Sequence, residues 1–283
     1  MIPRPDAGVE DAVLFLRDVK FTYESGVDAL RGVTLAVDKG EYLAIVGGNG
    51  SGKTTLAKHM NGLLRPTGGQ VLVNGAQSST RTVAELARVV GYAFQNPDHQ
   101  LFCRTTQDEV SFGPTNTGLD EQEVRRRTDR AIELMGLSEV RTRPPLSLTL
   151  GFRRKISIAS VIAMEPQVLI LDEPTTGLDA READELMAIV QRLNDEGRTV
   201  VLITHEMKLV AEHANRVVVM ADGRVVLDSD ARGAFSDLEL LRHSKLLPPP
   251  VTQLAHKLAQ IGVSRDALTP QELVFELMRG EEP

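Results

Sequence analysis

Tyr42-Leu43-Ala44-Ile45-Val46-Gly47-Gly48-Asn49-Gly50-Ser51-Gly52-Lys53-Thr54 runs an unbroken apolar segment straight into a glycine-rich loop that ends in a lysine and a hydroxyl. Residues 42–46 are short, apolar and stopped by glycine, which predicts a buried strand. The next eight residues satisfy the phosphate-loop pattern G-x-x-x-x-G-K-[ST]. Gly47, Gly50 and Gly52 permit backbone angles other residues avoid, so successive N–H groups, those of Asn49 and Ser51 included, turn inward onto phosphate oxygens. Leu56-Ala57-Lys58-His59-Met60 reads as a helix beginning near Lys53, whose N-terminal dipole also favours an anion. In such a loop Lys53 bridges the β- and γ-phosphates of a nucleotide and Thr54 offers its hydroxyl to Mg²⁺.

A second acidic element suits that loop. Leu169-Ile170-Leu171-Asp172-Glu173 is an apolar strand ending in two acids, and strand C-termini are where α/β sheets present ligand groups. Asp172 is expected in the Mg²⁺ shell, and Glu173 is expected to polarise an attacking water. Two acids before Pro174 would also suit a plain turn; the phosphate loop upstream decides for chemistry. Downstream, a helix over 180–196 with Leu186, Ile189, Val190 and Leu193 on one side precedes a buried strand over 199–203. Strand–helix–strand units with continuous apolar strands predict a parallel sheet covered on both faces, an α/β phosphate-loop NTPase.

Around this core, strands over 13–16, 33–37 and 71–73 suggest an antiparallel layer about the strand 42–46. Thr82-x-x-Glu85 signals a capped short helix before a strand over 89–94. Asp120 and Glu123 open a charged helix that closes at Gly136, and Arg125-Arg126-Arg127 reads as its solvated face. Asp222-Gly223 predicts a hairpin between strands 217–220 and 225–227. Pro248-Pro249-Pro250 reads as a stiff linker to a helix carrying Leu254, Leu258 and Ile261; a last helix opens at Thr269-Pro270 and ends at Gly280.

From about Phe15 to Gly223 these motifs resemble the ABC ATPases, and the resemblance extends the site. Glu173-Pro174-Thr175-Thr176-Gly177-Leu178-Asp179 is similar to the family's acidic strand end and D-loop, which implies that Asp179 reaches across a dimer. Thr204-His205 is similar to the switch histidine, placing His205 on the γ-phosphate. Gln95 resembles the Q-loop glutamine that senses Mg²⁺ and water and couples the site to a transporter. Tyr23 stands where the family stacks an aromatic on adenine, and Thr55 joins the residues expected to bind ATP. The family's L-S-G-G-Q signature acts in trans; Leu148-Thr149-Leu150-Gly151-Phe152 takes its place, with Leu146-Ser147 as an alternative start. Thr149 and Gly151 keep the pattern, whereas Leu150 and Phe152 replace a glycine and a glutamine. That departure implies a weak site opposite this subunit and slightly favours pairing with a different ATPase over a homodimer.

Ala93-Phe94-Gln95-Asn96-Pro97-Asp98-His99-Gln100-Leu101-Phe102 and Asp108-Glu109-Val110-Ser111-Phe112-Gly113-Pro114 resemble the ATPases of energy-coupling-factor importers, the cobalt and nickel type included. The resemblance implies an ABC ATPase domain over 10–245 with a helical subdomain about 96–160, and a C-terminal helical extension over 246–283. It also implies ATP and Mg²⁺ as cofactors. The partners it implies are a second ATPase subunit, a transmembrane coupling subunit and a substrate-binding membrane component, with the chain at the cytoplasmic face of the membrane.

Composition agrees. A net charge of −7, aromatics at 4% and no Trp argue against nucleic acid and against docking on anionic lipid. Cys103 is the single cysteine, which suits a reducing compartment. Residues 1–8 lack the apolar core of a signal peptide, and no apolar run approaches the roughly 18 residues of a membrane span. A soluble ABC ATPase acting on ribosomes or DNA, or a weakly hydrolysing regulator, are the competing readings; one cassette without sustained heptads disfavours the first, and intact Glu173 and His205 disfavour the second.

Overall fold

The computed structural model describes residues 12–261, 264 and 267–279. The opening stretch 1–8, the domain start at 10 and the helix end at Gly280 lie outside the described residues.

The chain begins with β1 (Ala12–Thr22), β2 (Asp28–Asp38), β3 (Tyr42–Val46), α1 (Lys53–Met60), β4 (Gly68–Val73), β5 (Ala76–Gln77), α2 (Val83–Ala87) and β6 (Val90–Ala93). Three helices follow, α3 (Thr106–Asn116), α4 (Glu121–Leu134) and α5 (Leu150–Ile162). The chain then alternates through β7 (Val168–Asp172), α6 (Ala180–Asp195), β8 (Thr199–Ile203), α7 (Met207–His213), β9 (Arg216–Ala221) and β10 (Arg224–Asp230). It ends in α8 (Ala231–Ser236), α9 (Leu238–His243), α10 (Pro250–Leu258) and α11 (Pro270–Arg279).

β3, β7 and β8 are buried at every position, as strands covered on both faces must be. They form a sheet in the order β10-β9-β3-β8-β7-β6, parallel except for β10 on β9. That last pair is the expected hairpin, with Asp222 and Gly223 at φ 47° and 73°, the left-handed pair a two-residue turn needs. The antiparallel layer is a separate sheet, β2-β1-β4-β5, which packs on the core sheet and does not pair with β3. β3 therefore serves two cores. Ala44 and Val46 belong to the core that holds Ile156, Leu186 and Val190, while Leu43 and Ile45 belong to the one that holds Leu14, Leu16, Val33 and Leu56. Each such fully buried aliphatic side chain contributes roughly 1.5–3 kcal/mol relative to exposure, and the shared strand fixes the phosphate loop at its end.

Local signals set the helix ends. Thr82 and Glu85 form the reciprocal capping box of α2, and Asp120 caps α4 by accepting from Glu123 N at 2.8 Å. Three expectations change. Pro250 is the first residue of α10, where its missing N–H has no helical partner to lose, so the three prolines are not a linker throughout. α10 ends at Leu258, and Ile261 falls in a following 3₁₀ turn. The Arg125–Arg127 run is also not one solvated face: Arg125 is exposed beside Glu121, but Arg127 turns inward onto Glu123, Glu165 and the Met164 carbonyl. Sequence periodicity did not reveal α3 or the short helices α7 to α9.

Candidate nucleotide site

The loop between β3 and α1 is shaped by two glycines. Gly47, at φ 151°, lies so near the Met220 carbonyl that a Cβ would sit 2.2 Å from it. Gly52 caps α1 at φ 102°, where a Cβ would meet the Ala29 carbonyl at 2.6 Å. Lys53 folds back over the loop and donates to the Gly47 and Gly48 carbonyls at 2.8 and 3.0 Å. Burial lowers the Lys53 pKa, opposed by the charges of Glu173 and Asp172. An anion beside it would oppose that lowering, which suits a loop built to hold phosphate.

A cavity of about 340 Å³ opens against this loop. Of the residues expected to bind nucleotide or metal, Tyr23, Asn49, Gly50, Gly52, Lys53, Thr54, Thr55, Gln95 and Asp172 line it, together with Glu173. The segment Val27, Asp28 and Ala29, which the sequence did not single out, lines it too. Tyr23 stands edge-on to Phe21 at 4.8 Å, and its hydroxyl lies 2.9 Å from Thr55 Oγ1, leaving a partly exposed ring at the rim. Gly47 shapes the loop from behind, and Ser51 is buried beneath it with Oγ 3.5 Å from Lys53 Nζ.

The strand end β7 brings the acids to the same place. Asp172 Oδ2 accepts from Thr54 Oγ1 at 2.9 Å and from the Tyr92 hydroxyl at 2.8 Å. Its other oxygen, Oδ1, is buried without a hydrogen-bond partner. A lone carboxylate oxygen beside a hydroxyl is a hard-oxygen set that fits a small divalent cation sharing phosphate and water ligands. Among the described residues no cluster of three or more His, Cys, Asp or Glu is placed to hold a metal ion.

Glu173 adopts φ 49°, a left-handed conformation costing about 1–3 kcal/mol for a non-glycine residue. Its N–H donates to the Ile203 carbonyl at 2.8 Å, and its carboxylate meets His205 Nδ1 at 2.7 Å and the Thr204 hydroxyl at 3.3 Å. The turn thus aims an acid at the cavity and pairs it with an imidazole on the neighbouring strand end.

Thr149, Gly151 and Asp179 do not line this cavity. Thr149 is the N-cap residue of α5 and makes no side-chain capping bond. Gly151 approaches Glu182, and Asp179 caps α6 by accepting from Glu182 N at 2.8 Å. Leu150 lies over Gly177, where a Cβ would meet its side chain at 2.4 Å. The segments expected to serve as signature and D-loop therefore lie against each other, outside the lining of the pocket.

Sequence reasoning missed Arg154. It is buried on α5 and donates to the carbonyls of Phe94 (2.8 Å), Gln95 and Thr176 (3.3 Å), joining the Gln95 segment to the turn after Glu173. Tyr92 was also missed. The signal for both was indirect: a charged residue on an otherwise apolar helix face, and a hydroxyl on the strand beside the acid-ending one.

The ABC transporter family profile matches residues 30–176. This chain belongs to the ABC transporter family. Among its relatives, the energy-coupling factor transporter ATP-binding protein of Methanoculleus marisnigri is 44% identical over 90% of this chain and 92% of its own length. The protein of the same description from Methanothermobacter thermautotrophicus is 38% identical, covering 93% and 86%. Some relatives are longer: the chain spans 45% of an ABC transporter ATP-binding protein of Caldanaerobacter subterraneus, 43% identical over 90% of this chain. The solved structure of CbiO1 from Clostridium perfringens, described as part of the ABC transporter complex CbiONQ, superposes with a TM-score of 0.73 at 35% identity. It covers 89% of this chain and 98% of that one. A dimeric ATP-binding cassette solved in a post-hydrolysis state with ADP and Pi gives 0.71 at 27% identity, covering 78% and 99%. The family match runs through the phosphate loop and the Asp172–Glu173 strand end, both of which line the cavity.

Proposed function

We propose that the chain is the ATP-hydrolysing subunit of an energy-coupling-factor importer that takes up a micronutrient, a vitamin or a transition-metal ion. The observation that carries the hydrolytic part is the Glu173–His205 pair, 2.7 Å apart, with Glu173 on the wall of the phosphate cavity. The importer class is supported by relatives described as energy-coupling factor transporter ATP-binding proteins, of which the chain covers 92% and 86%.

In this reading Tyr23 stacks on adenine, and the N–H groups from Gly47 to Thr55 hold the phosphates with Lys53. Thr54, Asp172 and Gln95 hold Mg²⁺, which supplies charge neutralisation at the phosphates. Glu173 takes the proton of the attacking water, and His205 orients that acid and contacts the γ-phosphate. A second ATPase subunit completes the site; reciprocally, this chain lends Thr149, Gly151 and Asp179 to its partner. Closure then moves the Gln95 segment against the membrane components.

The surface next to Gln95 supports that last step. Phe102 and Phe112 pack edge to face at 4.8 Å yet are 63% and 47% exposed, an apolar pair suited to a transmembrane coupling subunit. Among the described residues no helix is long and apolar enough to cross a membrane, so a peripheral position at the cytoplasmic face rests on such partners. The test is purification of the tagged chain from detergent-solubilised native membranes. Co-purification of a polytopic subunit and a small binding component is expected. Recovery only from the soluble fraction, with ribosomes, DNA or nothing, overturns the importer reading.

A further inference from the structure

We propose that Tyr92 is a positioning residue for the cation-binding carboxylate, fixing which oxygen of Asp172 is presented to Mg²⁺. This rests on the reading of Asp172 as a Mg²⁺ ligand. β6 and β7 run parallel with Tyr92 opposite Ile170. Side chains on a strand alternate, so Tyr92 shares a face with Ile170 and with Asp172 two residues on. Its ring is buried and braced edge-on by Phe94 at 4.9 Å, which leaves the hydroxyl few directions in which to point. It points at Asp172 Oδ2, 2.8 Å away.

The pattern of donors gives that contact its meaning. An ionised carboxylate offers about four lone-pair sites over two oxygens. Here both protein donors, Tyr92 and Thr54, fall on Oδ2, and none falls on the buried Oδ1. Two hydroxyls on one oxygen fix the carboxylate plane and leave the other oxygen available to a cation. The two donors are not equivalent. Thr54 belongs to the phosphate loop and its own oxygen is a candidate ligand, whereas Tyr92 comes from the neighbouring strand of the rigid sheet and lies outside the cavity lining.

Removing a partner that orients a ligand from outside the metal shell typically weakens metal binding about 10–100-fold. The test is Tyr92→Phe, which deletes the hydroxyl and keeps the ring. A fluorescent ATP analogue is titrated onto the full chain in excess EDTA, and then at fixed nucleotide with rising Mg²⁺ or Mn²⁺. Nucleotide affinity in EDTA is expected to match the wild type, while the half-saturating cation concentration rises at least tenfold. Tyr92→Met, whose flexible side chain refills the space, is made alongside and should give the same shift. Unchanged cation dependence in either folded variant, or an equal loss of nucleotide affinity in EDTA, overturns the role of Tyr92. A wild-type chain whose nucleotide binding ignores the cation overturns the Asp172 reading, and the proposal with it.

Discussion

Glu173 combines three properties that seldom meet by accident: a left-handed backbone, near-complete burial and an imidazole 2.7 Å from its carboxylate. Strain of about 1–3 kcal/mol persists only where the surroundings over-determine it, and here the N–H bond to Ile203 and the contacts with Thr204 and His205 do so. Glu173→Gln keeps the shape and the backbone conformation and removes only the ability to take a proton. ATP turnover is therefore expected to fall about 10²–10⁴-fold while nucleotide affinity holds. Steady-state phosphate release measured beside equilibrium binding checks this, and a variant retaining wild-type turnover would show that another group is the base. At this scale the sequence was informative wherever chemistry demands a residue type at fixed spacing, as with Lys53, Thr54 and the Asp172–Glu173 pair. Tyr92 and Arg154 were not legible because their partners, Asp172 and the carbonyls of Phe94, Gln95 and Thr176, are brought near only by folding.

The helix α5 is bound to the Gln95 segment along one face. Arg153 pairs with Asp98 at 2.7 Å, Arg154 clamps the carbonyls of Phe94 and Gln95, and Ser157 and Ser160 meet the Gln100 amide at 2.7 and 2.8 Å. A buried guanidinium serving three carbonyls cannot be removed cheaply, because each acceptor left dry costs about 1–3 kcal/mol. Arg154→Ala is expected to lower the unfolding free energy by about 2–5 kcal/mol in urea titration. Arg125→Ala, which removes only an exposed pair with Glu121, should change it by less than about 0.5 kcal/mol. Equal effects would mean that the clamp bears no weight. Strand elements were read well from sequence, since continuous burial leaves continuous apolar runs in β3, β7 and β8. The helical region was read less well. α3 mixes buried Thr106, Glu109, Val110 and Pro114 with exposed Phe112, so its periodicity is blurred by polar groups whose partners lie elsewhere.

On the scale of the whole molecule, Thr149, Gly151 and Asp179 stand apart from the phosphate-loop cavity, because they do not line the pocket that Lys53 and Glu173 share. A closed pair would thus mix one subunit's loop with the other's signature, and in a homodimer Leu150 would enter both composite sites. Leu150 opens α5 and is 39% exposed, with its side chain lying over Gly177. If this segment acts as the signature, an isobutyl group there would cover backbone that a phosphate oxygen has to approach. Closure of two identical copies should be poor, while a partner with a glycine in its signature could still close over this chain's own loop. The measurement is light scattering on Glu173→Gln with Mg·ATP, which prevents turnover from reopening the pair. The mass of one chain is expected. Adding Leu150→Gly should shift it to two chains, with dimer affinity at least about tenfold tighter, or about 1.4 kcal/mol. Glycine in a helix costs up to about 1 kcal/mol of stability, so a tighter dimer from a slightly less stable chain can be credited only to the cleared surface. A dimer already formed with Leu150 in place would show that the side chain swings aside, and the argument for an unlike partner would fall with it.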